Sequence, residues 1–82
     1  MSELVNESKV LTFGEKAVGL TFNVGGSLVV HSIKTLYAAV IDELNTARQT
    51  AESPEAKRQY SVAITEAQTS QMWAVKAATW KD

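Results

Sequence analysis

Apolar residues recur every three or four positions along two long stretches of this chain, the spacing of an α-helix face. The first stretch starts at Leu28, and its apolar line is Val29, Ile33, Leu36, Val40, Leu44, Ala47 and Ala51. Val30, Tyr37 and Ile41 add a flank, while Lys34, Asp42, Asn45, Arg48 and Gln49 are expected on the wet side. The second stretch runs from Pro54 to about Trp80, with Tyr60, Ala63, Ile64, Ala67, Gln71, Ala74, Val75 and Ala78 as its main stripe. Small residues on that stripe let the two helices approach closely. The end of this helix, Gln71 to Trp80, is apolar on two sides: Met72, Val75 and Ala78 form one line, and Trp73, Ala77 and Trp80 a neighbouring one. A surface helix needs one apolar stripe for its core. Two stripes imply two partners, the other long helix and a second copy of the chain. Met72, Trp73, Val75, Lys76 and Trp80, with Tyr37 from the first helix, are therefore the predicted oligomer interface. Lys76 lays its stem on that surface and keeps its ammonium free to reach out.

Polar punctuation sets the boundaries. Ser27 is a good N-cap for a helix starting at Leu28. In Glu52-Ser53-Pro54-Glu55, Ser53 caps the next helix, Pro54 suits its first position and Glu55 complements the positive end of its dipole. So short a turn packs the two helices antiparallel as a hairpin. Ahead of them, Thr12-Phe13-Gly14-Glu15 matches a capping box, and Gly19 suits the position just past a helix end, so a short helix is expected there. The rival is a strand through Val10, Leu11, Thr12 and Phe13. Met1 to Lys9 is polar and expected to fray. The predicted organisation is a single all-α domain: a flexible tail over 1–9, a short helix and glycine-rich loop over 10–27, helices over 28–51 and 54–80, and assembly into a homo-oligomer. There are no internal repeats.

Composition narrows the function classes. A chain of 82 residues builds one modest core and encloses no deep pocket alone, so a substantial ligand site has to be shared between subunits. A net charge of −1 provides no basic field for DNA or RNA. With 0 Cys there is no disulfide framework or thiolate metal site, and the single histidine, His31, is no basis for a histidine-rich one. No apolar run approaches the roughly 20 residues of a membrane span. The first ten residues have early acids and no apolar core, so they are no signal peptide, and a soluble cytoplasmic protein is expected. An enzyme is not expected: one histidine, no nucleophile elbow around any serine, and adjacent Asp42 and Glu43 pointing different ways supply no acid–base constellation. No cofactor and no metal are expected.

Phosphate binding has more support. Val24-Gly25-Gly26-Ser27 opens onto a helix N-terminus, where free N–H groups and the dipole favour an anion. Lys34 lies two turns on, and Arg58 is near the start of the second helix. The alternative is that Gly25 and Gly26 only make a tight turn and the charges are solvated. No Gly-Lys-Ser/Thr follows the glycines, so this is not a Walker A motif. Aromatic stacking is the complement, since a nucleobase gains from lying on an aromatic face. Phe22, beside Asn23 and ahead of the glycines, is placed to be mobile and exposed, or equally to act as a staple that holds the loop on the hairpin; Tyr37 and Trp80 are better read as interface packing.

Two segments carry a family resemblance: Val18-Gly-Leu-Thr-Phe-Asn23 followed by Ile33-Lys34, and Ala63-Ile-Thr-Glu-Ala67 leading into Gln71-Met-Trp-Ala-Val-Lys-Ala77. The chain resembles, from roughly Val18 to Trp80, the small phage anti-defence proteins of the anti-CBASS cyclic-nucleotide sponge family and their relative, the anti-Thoeris sponge. That resemblance implies a helical hairpin assembled as a homohexamer in the cytoplasm of the infected bacterial host. It implies binding of nucleotide messengers without turnover, at sites between subunits. The ligands would be cyclic dinucleotides, with cyclic trinucleotides in a separate pocket, or a cyclic ADP-ribose isomer in the anti-Thoeris branch; DNA and membranes would not be partners. By the resemblance, Phe22 or Phe13 stacks on a base, Lys34 meets a phosphate, and Arg58 and Thr65 contribute to the nucleotide sites. The chain departs from the family pattern in its very short helix connection, its Gly-Gly turn and the lack of a proline just before the first long helix. The candidate nucleotide-binding set is thus Phe22, Asn23, Gly25, Gly26, Lys34, Arg58 and Thr65.

Overall fold

A hydroxyl cap starts each helix, and a positive-φ glycine ends the first. The computed structural model describes residues 10–82; the expected flexible tail over 1–9 lies outside the described residues. Helix α1 spans Phe13–Ala17. The Glu15 N–H donates to Thr12 Oγ1 at 3.0 Å and the Thr12 N–H donates to Glu15 Oε1 at 2.9 Å, so the capping box forms and the helix prevails over the strand. At its end the Gly19 N–H donates to the Lys16 carbonyl and the Leu20 N–H to the Glu15 carbonyl, with Gly19 at φ +64°. This is a Schellman ending, which needs a left-handed residue.

Helix α2 spans Leu28–Thr50 and helix α3 Pro54–Ala78. The Val30 N–H donates to Ser27 Oγ and the Ala56 N–H to Ser53 Oγ, both at 3.2 Å. Both helices stop slightly earlier than the apolar pattern predicts: α2 gives way at Ala51, and α3 ends at the Thr79 cap with Trp80 beyond it. The described residues contain no strand. Arg48 bonds Ser61 near the turn and Tyr37 bonds Ser70 farther from it, so residue numbers rise on one helix as they fall on the other. The long helices form an antiparallel hairpin.

The core is Val18, Ala38, Ile41 and Ile64, with Ala17, Leu20, Tyr37, Leu44 and Ala67 packed against it. Ile41 is wholly buried, worth about 1.5–3 kcal/mol for a side chain of its size. The stripe expected on α3 faces this core, with Ile64 and Gln71 buried and only its last member, Ala78, exposed. On α2 the expected face is corrected in part. Ile33, Leu44, Ala47 and Ala51 of the expected line are half-buried, but Val29, Leu36 and Val40 are exposed, and the buried positions are the flank residues Val30 and Ile41 with Lys34 and Ala38. Of the residues expected on the wet side, Lys34 is buried, Asp42, Asn45 and Arg48 are half-buried, and only Gln49 is exposed.

The physical reason is α1, which docks on that side of α2. The Gly14 N–H donates to Asp42 Oδ1 at 2.6 Å, and a Cβ on Gly14 would lie 2.1 Å from the Ala38 carbonyl oxygen. Only a residue without a side chain permits that approach. Arg48 ties the elements together: Nη1 donates to Ser61 Oγ at 3.0 Å, Nη2 donates to Asn45 Oδ1 at 2.8 Å, and the guanidinium lies 5.6 Å from the centre of the Phe13 ring. Gln68 Nε2 donates to the Ala17 carbonyl at 3.2 Å.

Candidate functional site

The chain between α1 and α2 brings an exposed aromatic ring onto a buried cation. The Phe22 N–H donates to the Gly19 carbonyl at 2.9 Å, closing a turn. Lys34, on the second turn of α2, is only 5% exposed. Its ammonium donates to the Gly19 carbonyl at 3.0 Å and to the Phe22 carbonyl, and lies 5.6 Å from the centre of the Phe22 ring. Among the described residues no carboxylate pairs with it. An ammonium has three N–H donors. Two are held by carbonyls, which leaves one for the cleft that Lys34 lines. That cleft has a volume of about 210 Å³ and is lined by Phe22, Asn23, Val24, Val30, Lys34, Val75 and Thr79. The Phe22 ring stands over it, 72% exposed.

Asn23 and the two glycines build the approach to α2. Asn23 Nδ2 donates to the Ser27 carbonyl at 2.8 Å, and the Ser27 N–H donates to Asn23 Oδ1 at 3.2 Å. The Gly26 N–H donates to the Asn23 carbonyl at 3.0 Å, with Gly25 and Gly26 at φ +86° and +66°. Both the Asn23 amide and the Gly26 N–H therefore hold the loop. No acidic residue sits in the first turn of α2 to compete with an anion there.

Arg58 and Thr65 lie elsewhere. Arg58 is seventeen residues before Val75 on α3, which at 1.5 Å per residue puts it about 25 Å from the cleft. Its Nε and Nη2 donate to the two Glu55 carboxylate oxygens at 3.0 and 2.7 Å, and Gln59 Nε2 adds a third bond at 2.9 Å. The Arg58 guanidinium first, and Gln59 second, hold the Glu55 carboxyl down at about 2. The same pairing raises Arg58 further above its ordinary value. Thr65 is exposed two turns beyond Arg58, on the same helix face. One chain thus gathers Phe22, Asn23 and Lys34 at the cleft, has Gly25 and Gly26 in the adjoining loop outside its lining, and leaves Arg58 and Thr65 on a separate surface.

The predicted interface residues divide as well. Met72, Trp73, Lys76 and Trp80 are exposed on α3 and just past its end. The Lys76 ammonium lies 4.9 Å from the Trp73 ring centre and 5.9 Å from that of Trp80. Val75 is half-buried and lines the Phe22 cleft, and Tyr37 is half-buried with its hydroxyl 2.5 Å from Ser70 Oγ on α3. Sequence reasoning missed Thr79 and Val30 as cleft walls. Thr79 was within reach, standing one helical turn beyond Val75. No group of His, Cys, Asp or Glu among the described residues can hold a metal. No helix among them is long and apolar enough to cross a membrane.

The family model of the Acb2/Tad1 hairpin domain matches residues 15–79. The chain belongs to the Acb2/Tad1 hairpin family. This is the anti-CBASS/anti-Thoeris sponge family, whose role in phage anti-defence is to sequester a ligand rather than transform it. No curated protein and no solved structure matches the chain. The span matched to the Acb2/Tad1 hairpin holds the whole Phe22–Lys34–Thr79 cleft and the Arg58–Thr65 surface, and stops short of Trp80.

Proposed function

We propose that this Acb2/Tad1 hairpin protein binds cyclic nucleotide immune messengers at subunit interfaces and withholds them from CBASS-type effectors, without turnover, in the cytoplasm of the infected host. Cyclic dinucleotides are its first ligands, with cyclic trinucleotides at a second kind of site. The observation that carries this reading is Lys34. A buried cation is unfavourable unless an anion or several dipoles compensate it. Here two carbonyls and an aromatic face do so in part, and the remaining donor lies beside an exposed ring. A phosphodiester supplies the missing negative charge while its base stacks on Phe22.

Size requires a second copy. Ligand pockets usually measure about 300–1,000 Å³, and this cleft measures about 210 Å³. The exposed Met72, Trp73, Lys76 and Trp80 are the surface on which copies associate, and a homohexamer is the assembly proposed. Asn23, Gly25 and Gly26 shape the dinucleotide site. Arg58 and Thr65, too far from the cleft within one chain, serve the separate trinucleotide pocket. Because the matched family spans both sponge branches, a cyclic ADP-ribose isomer is the second ligand reading.

Native mass spectrometry with cyclic di- and trinucleotides and cyclic ADP-ribose isomers tests the proposal. A hexamer carrying discrete, intact nucleotide masses is expected, and the class taken up decides between the readings. An oligomer that takes up none of them overturns the proposal in favour of a hairpin that binds a protein.

A further inference from the structure

Lys34 makes contacts that a phosphate ligand alone does not require. Its ammonium bonds the carbonyls of Gly19 and Phe22. These are the first and last residues of the turn closed by the Phe22 N–H. One side chain from α2 therefore grips both ends of the turn that carries the aromatic ring. The ring cannot be held by packing, because most of it faces solvent. Nor does the Schellman ending of α1 reach it, since those bonds stop at Leu20. On the far side, the Asn23–Ser27 bonds fix the loop to the start of α2 but leave the Phe22 side chain itself unclamped.

We propose that Lys34 is a positioning residue for Phe22: its ammonium locks the Gly19–Phe22 turn onto α2, so that the ring is presented before any ligand arrives. What the ring stacks on rests on the sponge reading; the lock is a property of the ligand-free chain. A preordered loop spares the ligand the entropy of ordering it, so the lock strengthens binding through Phe22 as well as through any phosphate contact. Residues acting through one another show non-additive effects, whereas independent contacts add.

The test pairs Lys34→Met with Phe22→Ala and their double variant. Methionine keeps an apolar stem in the buried channel and removes every donor; Lys34→Gln, which retains one donor pair, is the second variant. Hydrogen exchange is measured on ligand-free protein. The Phe22 amide is expected to exchange at least about tenfold faster in Lys34→Met, with Ile41 unchanged as a reference for global opening. Lys34→Gln is expected to fall between. Affinity for 3′,3′-cyclic GMP-AMP is measured by calorimetry on all four proteins. Each single change is expected to weaken binding by about tenfold or more, and the double variant by no more than about threefold beyond the weaker single. Unchanged exchange at Phe22, or losses that multiply in the double variant, would overturn the proposal. If the unaltered protein binds no cyclic GMP-AMP, the choice of ligand fails, and the exchange result decides the lock by itself.

Discussion

Replacing Gly14 with alanine should destabilise the fold although alanine is the better helix former. The added Cβ would lie 2.1 Å from the Ala38 oxygen, 2.9 Å from the Ala38 carbonyl carbon and 3.0 Å from Asp42 Cγ. Two of those atoms are backbone in the middle of α2 and cannot swing aside. Carbon–oxygen contacts settle at about 3.3–3.6 Å, so α1 has to retreat by more than 1 Å. The 2.6 Å bond from the Gly14 N–H to Asp42 then stretches beyond hydrogen-bonding range. A bond to a charged group contributes about 1.5–3 kcal/mol, and forcing extra volume into a close contact costs about 1–3 kcal/mol. Against this stands a gain of about 0.5–1 kcal/mol from replacing a helical glycine. The net loss is about 1.5–5.5 kcal/mol, large against the 5–15 kcal/mol of a typical domain.

Urea titration and thermal melting at matched protein concentration measure it, since association makes the midpoint concentration-dependent. At about 4–8 °C per kcal/mol for a chain of this size, Tm should fall by about 6 °C or more. Gly19→Ala is the control. Gly19 sits at φ +64° with nothing closer than Lys34 Nζ at 4.0 Å, so it suffers only backbone strain of about 1–2 kcal/mol. A Gly14→Ala protein as stable as the parent, or less affected than Gly19→Ala, refutes the close-approach argument.

Phe22→Ala should leave Tm almost unchanged, because the ring is mostly exposed, and should weaken cyclic dinucleotide binding by about 1–3 kcal/mol, the worth of one base–aromatic stack; calorimetry reads both. Trp73→Ala combined with Trp80→Ala should dissociate the oligomer while the hairpin stays helical, checked by light scattering and circular dichroism. Carboxyl NMR should find Glu55 ionised down to about pH 2, and Arg58→Ala should raise its titration toward the ordinary range, with the Gln59 bond keeping it somewhat below. The sign follows from a depressed folded value: the pairing favours folding above the unfolded titration point and is lost as pH falls toward 2. Glu55→Ala, which releases the Arg58 guanidinium, should tighten cyclic trinucleotide binding if Arg58 serves that pocket, and unchanged affinity removes Arg58 from the site.

Local chemistry was legible where one short segment determines it. The Thr12–Glu15 box, the Gly19 ending and the Ser27 and Ser53 caps each depend on three or four neighbouring residues, and all form as expected. The buried face of α2 was not legible from its periodicity. Val29, Leu36 and Val40 make the stronger apolar line, yet they face outward. Ala38 and Lys34 look like poor core residues and are buried because of what lies across from them. Ala38 receives the backbone at Gly14, and Lys34 receives the carbonyls of the Phe22 turn. Neither partner is within ten residues, so no pattern along α2 alone reports it. The separation of Arg58 from Lys34, by contrast, was within reach: each lies near the N-terminus of its helix, and the antiparallel hairpin that the short turn predicts puts those ends apart.

The exposed part of the α2 apolar line bears on function as well as on packing. The core takes Val30 and Ile41 from α2 together with Lys34 and Ala38, and leaves Val29, Leu36 and Val40 exposed on α2, with Met72 and Trp73 exposed on α3. Exposed apolar surface of that kind marks an interaction site. The ligand side shows the same incompleteness, since the cleft beside Lys34 is open and smaller than its proposed ligand. The proposed association of copies would meet both deficits in one event. For a sponge this has a kinetic advantage. A ligand enclosed between subunits leaves only when the interface or the Phe22 loop opens, so retention is governed by the dissociation rate, the quantity through which most affinity differences among related complexes arise.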